Sequence, residues 1–229
     1  MKHYFLISAT QIQSKGGHLP PVERFCEGFP FTNRKEIYNF YIKSLESKNR
    51  DVYRFLECRG EEQKYWIQQW NAYLLSPTMI AINRFDSHLF QGLRSTCNNL
   101  NDNIWIICPF HGLIQLTESI PNYRLRPDAF LPGCGHLTNY WTKILAKEIA
   151  QRAHQGIVWN LLDTPWPGLK MHLDFESYFE IQFKNPSDAD KKRLLLINNI
   201  ENNKPSSYYE SLQIILDLNP SQHSDHFLL

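Results

Sequence analysis

IWIICPFHGLIQLTESIPNYRLR, residues 104–126, is the stretch from which the rest of the chain can be read. Ile104 to Cys108 is a short apolar run of strand length, and Pro109 with Gly112 stops it and turns the chain back over the strand's carboxyl end. Open α/β sheets place their sites at that end. Behind Pro121, Asn122, Tyr123, Arg124 and Arg126 crowd polar and cationic groups into one loop.

Outward from this stretch, Tyr4 to Ile7 reads as a first buried strand. Thr10 to Phe31 carries Gly16, Gly17, Pro20, Pro21, Gly28 and Pro30, which predicts a long site-lining loop. Arg34 to Ser47 has a helical stripe of Ile37, Tyr41 and Leu45, with Thr32 or Asn33 as N-cap. Val52 to Cys58 and Lys64 to Leu75 read as two further helices broken at Arg59-Gly60, so residues 34–75 form a helical subregion. Asp86 is the expected N-cap of a helix reaching Asn98. Gly133 and Gly135 flank Cys134 in a loop. Thr138 is the expected cap of a helix that buries Trp141, Leu145 and Ile149, turns Lys143, Lys147 and Arg152 outward, and closes at Gly156. The strand Ile157 to Leu161 follows and completes an α/β unit. After Pro165 and Pro167 short strands are expected at Lys170 to Phe175, Tyr178 to Phe183 and Arg193 to Ile197, the last two as a hairpin. A terminal helix from Tyr209 to Leu218 precedes a flexible tail, residues 219–229.

These elements predict an α/β fold: a single domain, residues 1–218, with a mixed β-sheet covered by helices. The chain has 229 residues, 42% hydrophobic and 14% aromatic, enough for one sizeable core. Net charge is +1, so contact with nucleic acid has to come from a local patch. Five Cys without CxxC spacing read as reduced thiols. The apolar run in MKHYFLISA is too short for a signal peptide, and no segment has the length of a membrane span; the expected location is cytoplasmic, with no membrane partner.

The same residues carry a resemblance. Phe110, His111, Gly112, Leu113 and Ile114, then Pro121, Tyr123, Arg124 and Leu125, are similar in order to the Tyr-Gly-(Leu/Val)-Leu-Arg-Pro and Gln-Pro-Tyr-Arg-Leu runs of the YaaA family of peroxide-stress proteins. Leu137-Thr-Asn-Tyr-Trp141, Val158-Trp-Asn160-Leu and Ala81-Ile-Asn-Arg-Phe85 resemble its further motifs in the same order. Two positions depart from it. Ser8 is kept, but the lysine that follows the first strand in the family falls at Gln11, with Lys15 nearby. Lys191-Lys192-Arg193 runs into three leucines where the family has Lys-Lys-Ala-Arg-Gly. The resemblance implies a cytoplasmic stress-response protein that binds DNA and limits oxidative damage, with a helix-hairpin-helix in the 34–75 region. Against that motif, residues 23–64 are nearly neutral, with nine Lys/Arg and eight Asp/Glu.

Residues 121–160 hold five Lys/Arg against two Asp/Glu, the one stretch richer in positive charge. Arg124 can fork onto a phosphate or carboxylate, or pair structurally with Asp128 or Glu118. His111 can titrate near neutral pH but needs a partner to act as acid or base. Cys108-x-x-His111 and Cys134-x-His136 lack the spacing of a zinc site, so no metal is expected. No P-loop, Gly-x-Gly-x-x-Gly, Gly-x-Ser-x-Gly or His-Glu-x-x-His occurs, and no cofactor is called for.

The loops at residues 8–31, 109–136 and 160–170 are expected to form a cleft. One reading is DNA binding by Ser8, Lys15, Arg124, Arg126, Lys143 and Lys147, with Tyr123 and Trp166 as stacking surfaces. Another is an enzyme acting on a nucleobase or nucleoside, with His111 or Asp163 as acid/base and Asn122 and Asn160 reading the base. A third is an interaction subunit with a protein partner. The first requires salt-sensitive binding, the second a pocket with a titratable pair, the third neither.

Overall fold

Strand β1 (Lys2–Ser8) lies at the centre of a sheet ordered β4-β3-β1-β8-β9. In the computed structural model described here, residues 1–18, 31–46, 61, 64–65, 68, 77–96, 102–163, 166, 178–183 and 187–218 are described. Strand β1 runs parallel to β3 (Ile104–Cys108) on one side and to β8 (Gly156–Asn160) on the other; β9 (Tyr178–Glu180) continues the parallel set beyond β8. The opposite edge is β4 (Gly112–Gln115), antiparallel to β3. The fold is therefore mixed α/β with a mixed sheet, as expected.

Both faces of β1 are buried, which explains its continuous apolar run. Tyr4 reaches Gln155 at the end of helix α4 (Leu137–Ala153), its hydroxyl donating to Oε1 at 3.2 Å. One residue back, His3 points the other way and meets Pro205, between α5 (Ala189–Asn203) and α6 (Tyr208–Leu218). Alternation thus assigns α4 to one face and the α5–α6 pair to the other. On the second face Phe5, Trp159 and Phe179 stack in register across β1, β8 and β9, with centroids 6.4 and 4.5 Å apart. At the β3–β4 turn Gly112 has φ +72°, and a Cβ there would meet the Trp141 ring at 2.6 Å. Trp141 in turn donates its indole N–H to the Pro109 carbonyl at 2.7 Å.

Helix α1 (Phe31–Glu46) buries Ile37 and Tyr41 as expected, but it begins before Thr32 and Asn33, which stand inside its first turn. A small antiparallel pair, β2 (Met79–Ile80) with β5 (Ser119–Ile120), leads into α2 (Ala81–Arg84) and then α3 (His88–Thr96). Asp86 is not the cap of α3: its carboxylate accepts from the Gln91 and Arg94 side chains. The loop around Cys134 is a hairpin of β6 (Phe130–Leu131) and β7 (Gly135–His136). Thr138 lies within α4, which starts at Leu137 without a side-chain cap. Gly156 does not close that helix but opens β8, where a Cβ would meet the Lys2 carbonyl oxygen at 2.2 Å.

The largest correction is at residues 193–197. They belong to helix α5, and no hairpin with Tyr178 to Phe183 exists. Ala189, Arg193, Leu196, Ile197 and Ile200 form its buried stripe, a 3.6-residue period that the Leu-Leu-Leu-Ile run conceals. Lys204, at φ +46°, ends the helix in the left-handed region, its N–H donating to Ile200. The expected elements at 52–58 and 170–175, the 219–229 tail and most of the 64–75 helix lie outside the described residues, so the helix-hairpin-helix reading does too. Among the described residues no helix is long and apolar enough to cross a membrane.

His3 supplies a pH-dependent prediction. Trp159 donates its indole N–H to Nδ1 at 3.2 Å, so the proton sits on Nε2, which donates to Pro205 at 2.9 Å. Burial lowers the His3 pKa below its ordinary value of 6.5. The unfolded chain therefore binds this proton first, and stability is lost as pH falls through about 6.5 towards the folded value. His3→Gln, which still donates to Pro205, is expected to flatten that loss in urea unfolding at neutral and mildly acidic pH. What remains is expected from His111, whose buried ring is shifted in the same direction.

Candidate functional site

The carboxyl ends of the parallel strands open onto one edge, and two adjoining cavities lie there. The larger, about 560 Å³, is lined by Asn160, Leu162, Asp163, Glu180, Ile181, Gln182, Phe183, Ala189, Asp190 and Arg193. The smaller, about 310 Å³, is lined by residues 8–11 and by Ser87, Leu89, Ile107, Pro127, Asp163, Trp166 and Asp190. Among the described residues Asp163 and Asp190 are common to both walls.

Arg193 organises this region. It extends from the buried stripe of α5, with its side chain 5% exposed, and forks in three directions. Nε donates to the Leu161 carbonyl at 2.8 Å, one terminal nitrogen to Asp190 at 3.0 Å, and the other pairs with Asp163. Its guanidinium also lies over the Phe183 ring, 4.7 Å from the centroid. Asp190 uses its second oxygen to accept the Leu89 N–H at 3.1 Å, capping α3 from another helix. Asp163 is anchored by its backbone, whose N–H donates to Ser8 Oγ at 2.8 Å, while 55% of its side chain remains exposed. Desolvation against the wall raises its carboxyl pKa, Arg193 opposing and the Asp190 charge adding to the shift. Asn160 is held at both ends: Nδ2 donates to Tyr178 Oη at 2.7 Å, and Oδ1 accepts the Leu162 N–H at 3.1 Å. Burial pushes the Tyr178 hydroxyl up to about 12.

Ser8, Asn160, Asp163 and Trp166 of the expected site residues are brought together here. Trp166 is 6% exposed, so it is a wall and not an open stacking surface. Tyr123, 3% exposed, is a core residue: its ring stacks on Phe110 at 5.9 Å and its oxygen accepts the Cys108 thiol at 3.1 Å. His111 is fully buried beside it, held neutral by burial and by the nearby Arg34 charge, and lines neither cavity. Arg34 explains this burial: it donates to the His111 carbonyl at 2.7 Å and the Leu113 carbonyl at 3.0 Å and pairs with Glu118, fastening α1 over the β3–β4 turn. Cys108 is an inert core thiol, pushed up to about 11 by burial.

The expected cations are dispersed. Arg126 forks onto Asp128, both contacts at 2.8 Å. Arg124 is half-buried and borders a narrow crevice with Gln11 and Gln13. Lys15 is exposed on the loop after β1, and Lys143 and Lys147 are exposed on the outer face of α4; Asn122 is half-buried, and none of these four lines either cavity. Among the described residues the cavities carry carboxylates at Asp163, Glu180 and Asp190 and the guanidinium of Arg193. Glu180, Gln182, Phe183, Asp190 and Arg193 escape sequence reasoning. For Arg193 a signal exists: an arginine in the apolar stripe of a helix is buried and must have partners.

Compared with known proteins, the chain matches a family model described as "Peroxide stress protein YaaA" over residues 13–194. That span takes in β3, β4, α4, β8 and β9, and ends just after Arg193. No curated protein matches the chain.

Arg193→Met is expected to destabilise the protein by about 3 kcal/mol in urea unfolding, because it leaves a buried carbonyl and two carboxylates without their donor. Arg193→Lys is expected to recover less than half of that, since a point charge cannot fork to three acceptors. Wild-type stability in both variants would show that Arg193 does not hold this edge together.

Proposed function

Because the chain belongs to the YaaA peroxide stress protein family, we propose that its part in that response is to take a single nucleobase with its sugar into the cavity at the sheet's carboxyl edge. The observation that carries this reading is the 560 Å³ cavity between β8, β9 and α5, whose polar lining among the described residues is amide and carboxylate apart from Arg193. Its volume is that of a small-molecule site. A phosphate backbone seeks Arg and Lys, and here the one cation among the described lining residues, Arg193, is already divided between two aspartates. A base, by contrast, offers N–H and C=O groups that Gln182, Glu180 and the amide hydrogen of Asn160 not given to Tyr178 complement, and a flat face that suits Leu162, Ile181 and Phe183.

The unit can arrive as a free nucleoside or as a nucleotide swung out of a DNA strand, the chemistry inside the cavity being the same. In the second case the phosphates stay outside the cavity, and the strand would have to pass round the sheet's edge to meet Lys143 and Lys147, exposed on α4. Asp163, at the cavity wall with a raised pKa, is the group suited to exchange a proton with the bound unit.

The test is titration calorimetry with a panel of nucleosides, and anisotropy with labelled single-stranded DNA at two salt concentrations. Gln182→Ala, at an exposed position, and Asn160→Ala are each expected to weaken nucleoside binding about tenfold, the worth of one lost hydrogen-bonding group. Lys143→Ala with Lys147→Ala is expected to leave nucleoside binding unchanged and to weaken only the DNA arm. Absence of saturable binding in both arms, or salt-sensitive DNA binding indifferent to both cavity variants, would overturn the reading.

A further inference from the structure

The two cavities differ in chemistry, and what joins them is specific. The larger has amides, a carboxylate and an aromatic ring at Asn160, Gln182, Glu180 and Phe183. The smaller has hydroxyls at Ser8, Thr10 and Ser87, the Gln11 amide and the indole of Trp166. Hydroxyl and carboxylate linings with an aromatic wall suit a polyhydroxylated ring, whereas amides with apolar faces suit a base. A ligand made of both parts has to cross between the cavities where their walls coincide, at Asp163 and Asp190.

Resting on the proposed nucleoside-type ligand, we infer that the base occupies the larger cavity and the sugar the smaller, so that the N-glycosidic bond lies beside Asp163 and is hydrolysed there. The co-reactant is water. Its oxygen attacks C1′ of the sugar while the Asp163 carboxylate takes one of its protons. The C1′–N bond breaks, its electron pair leaves with the base nitrogen, and that nitrogen is protonated from solvent. Asp163 then returns its proton to solvent, and the sum is nucleoside plus water giving free base and sugar. The two aspartates are arranged for different parts in this step. Asp190 is tied on both oxygens, to Arg193 and to the Leu89 N–H, and stays as a fixed negative charge facing the positive character that develops on the sugar. Asp163 pairs with Arg193 and is hydrogen-bonded by Ser8, yet 55% of its side chain is exposed, leaving it able to accept from water.

The experiment incubates the full chain with the nucleosides that bind it and with single-stranded DNA, and follows free base by chromatography and abasic sites by alkaline cleavage. Base release by the wild type is expected, falling at least about a hundredfold in Asp163→Asn while nucleoside affinity stays within about threefold, the pattern of a lost general base. Thr10→Ala, in the sugar cavity, is expected to raise KM with little change in kcat. Binding without base release in the wild type, or release undiminished in Asp163→Asn, would sink the hydrolysis and leave the binding reading standing. Absence of binding in the first place is the separate failure, and takes both down.

Discussion

Parallel pairing of β1 with a neighbour on each side is the constraint from which the rest follows. Parallel strands leave the sheet at the same edge, and here the ladder continues past the strand ends. Ala9 N–H donates to Ile107 at 3.0 Å, Leu161 N–H to Leu6 at 2.9 Å and Ile181 N–H to Asn160 at 3.0 Å. The loops after β1, β3, β8 and β9 are thereby aligned before any side chain is considered. The aromatic stack of Phe5, Trp159 and Phe179 locks that register, because a slip of one residue would turn all of them to the other face. Each ring contributes burial on the order of 1.5–3 kcal/mol.

Electrostatics then decide what the edge can hold. A buried guanidinium is tolerated only with its donors satisfied, and Arg193 meets this with one carbonyl and two carboxylates. Those partners come from the exit of β8 and from α5 itself, while Asp190 also reaches α3, so one residue ties three elements together. The consequence is that, among the described lining residues, the cation is spent on structure and the carboxylates and amides make up the rest of the polar wall.

Much of this architecture was legible in the sequence, and the failures have specific causes. The strands β1, β3 and β8 and helix α4 were visible because contiguous apolar runs or a clean amphipathic stripe stand between turn residues. Helix α5 was misread because three leucines and an isoleucine fit a buried strand and a helix equally, and only Arg193 and Ile200 at helical spacing distinguish them. Ser8 and Asn160 end their strands and Asp163 follows β8 closely, which is why sequence position points to the edge where they and Trp166 line the cavities. Tyr123 and His111 follow a strand as well, yet they are core. What buries them is distant in sequence: Arg34 from α1, and Gln13, whose Oε1 accepts the Tyr123 N–H at 3.2 Å. The expected cations are spread out for a related reason, Arg124 alone bordering a crevice that shares Ala9, Thr10, Gln11 and Pro127 with the smaller cavity. A segment's charge count is blind to pairing, and Arg126 is taken up by Asp128 two residues away.

The departure at Gln11 acquires a physical meaning in this setting. Gln11 is exposed on the loop after β1 and lines the smaller cavity together with Asp163 and Asp190. A lysine there, as in the YaaA motif that this loop resembles, would bring an ammonium group to a wall whose described ionisable members are both carboxylates. It would pair with one of them and also offer a partner to phosphate. Glutamine does neither. It donates and accepts without charge, leaving Asp163 to accept from a ligand hydroxyl or from water. An uncharged side chain at position 11 therefore suits the neutral, hydroxylated ligand proposed for this edge.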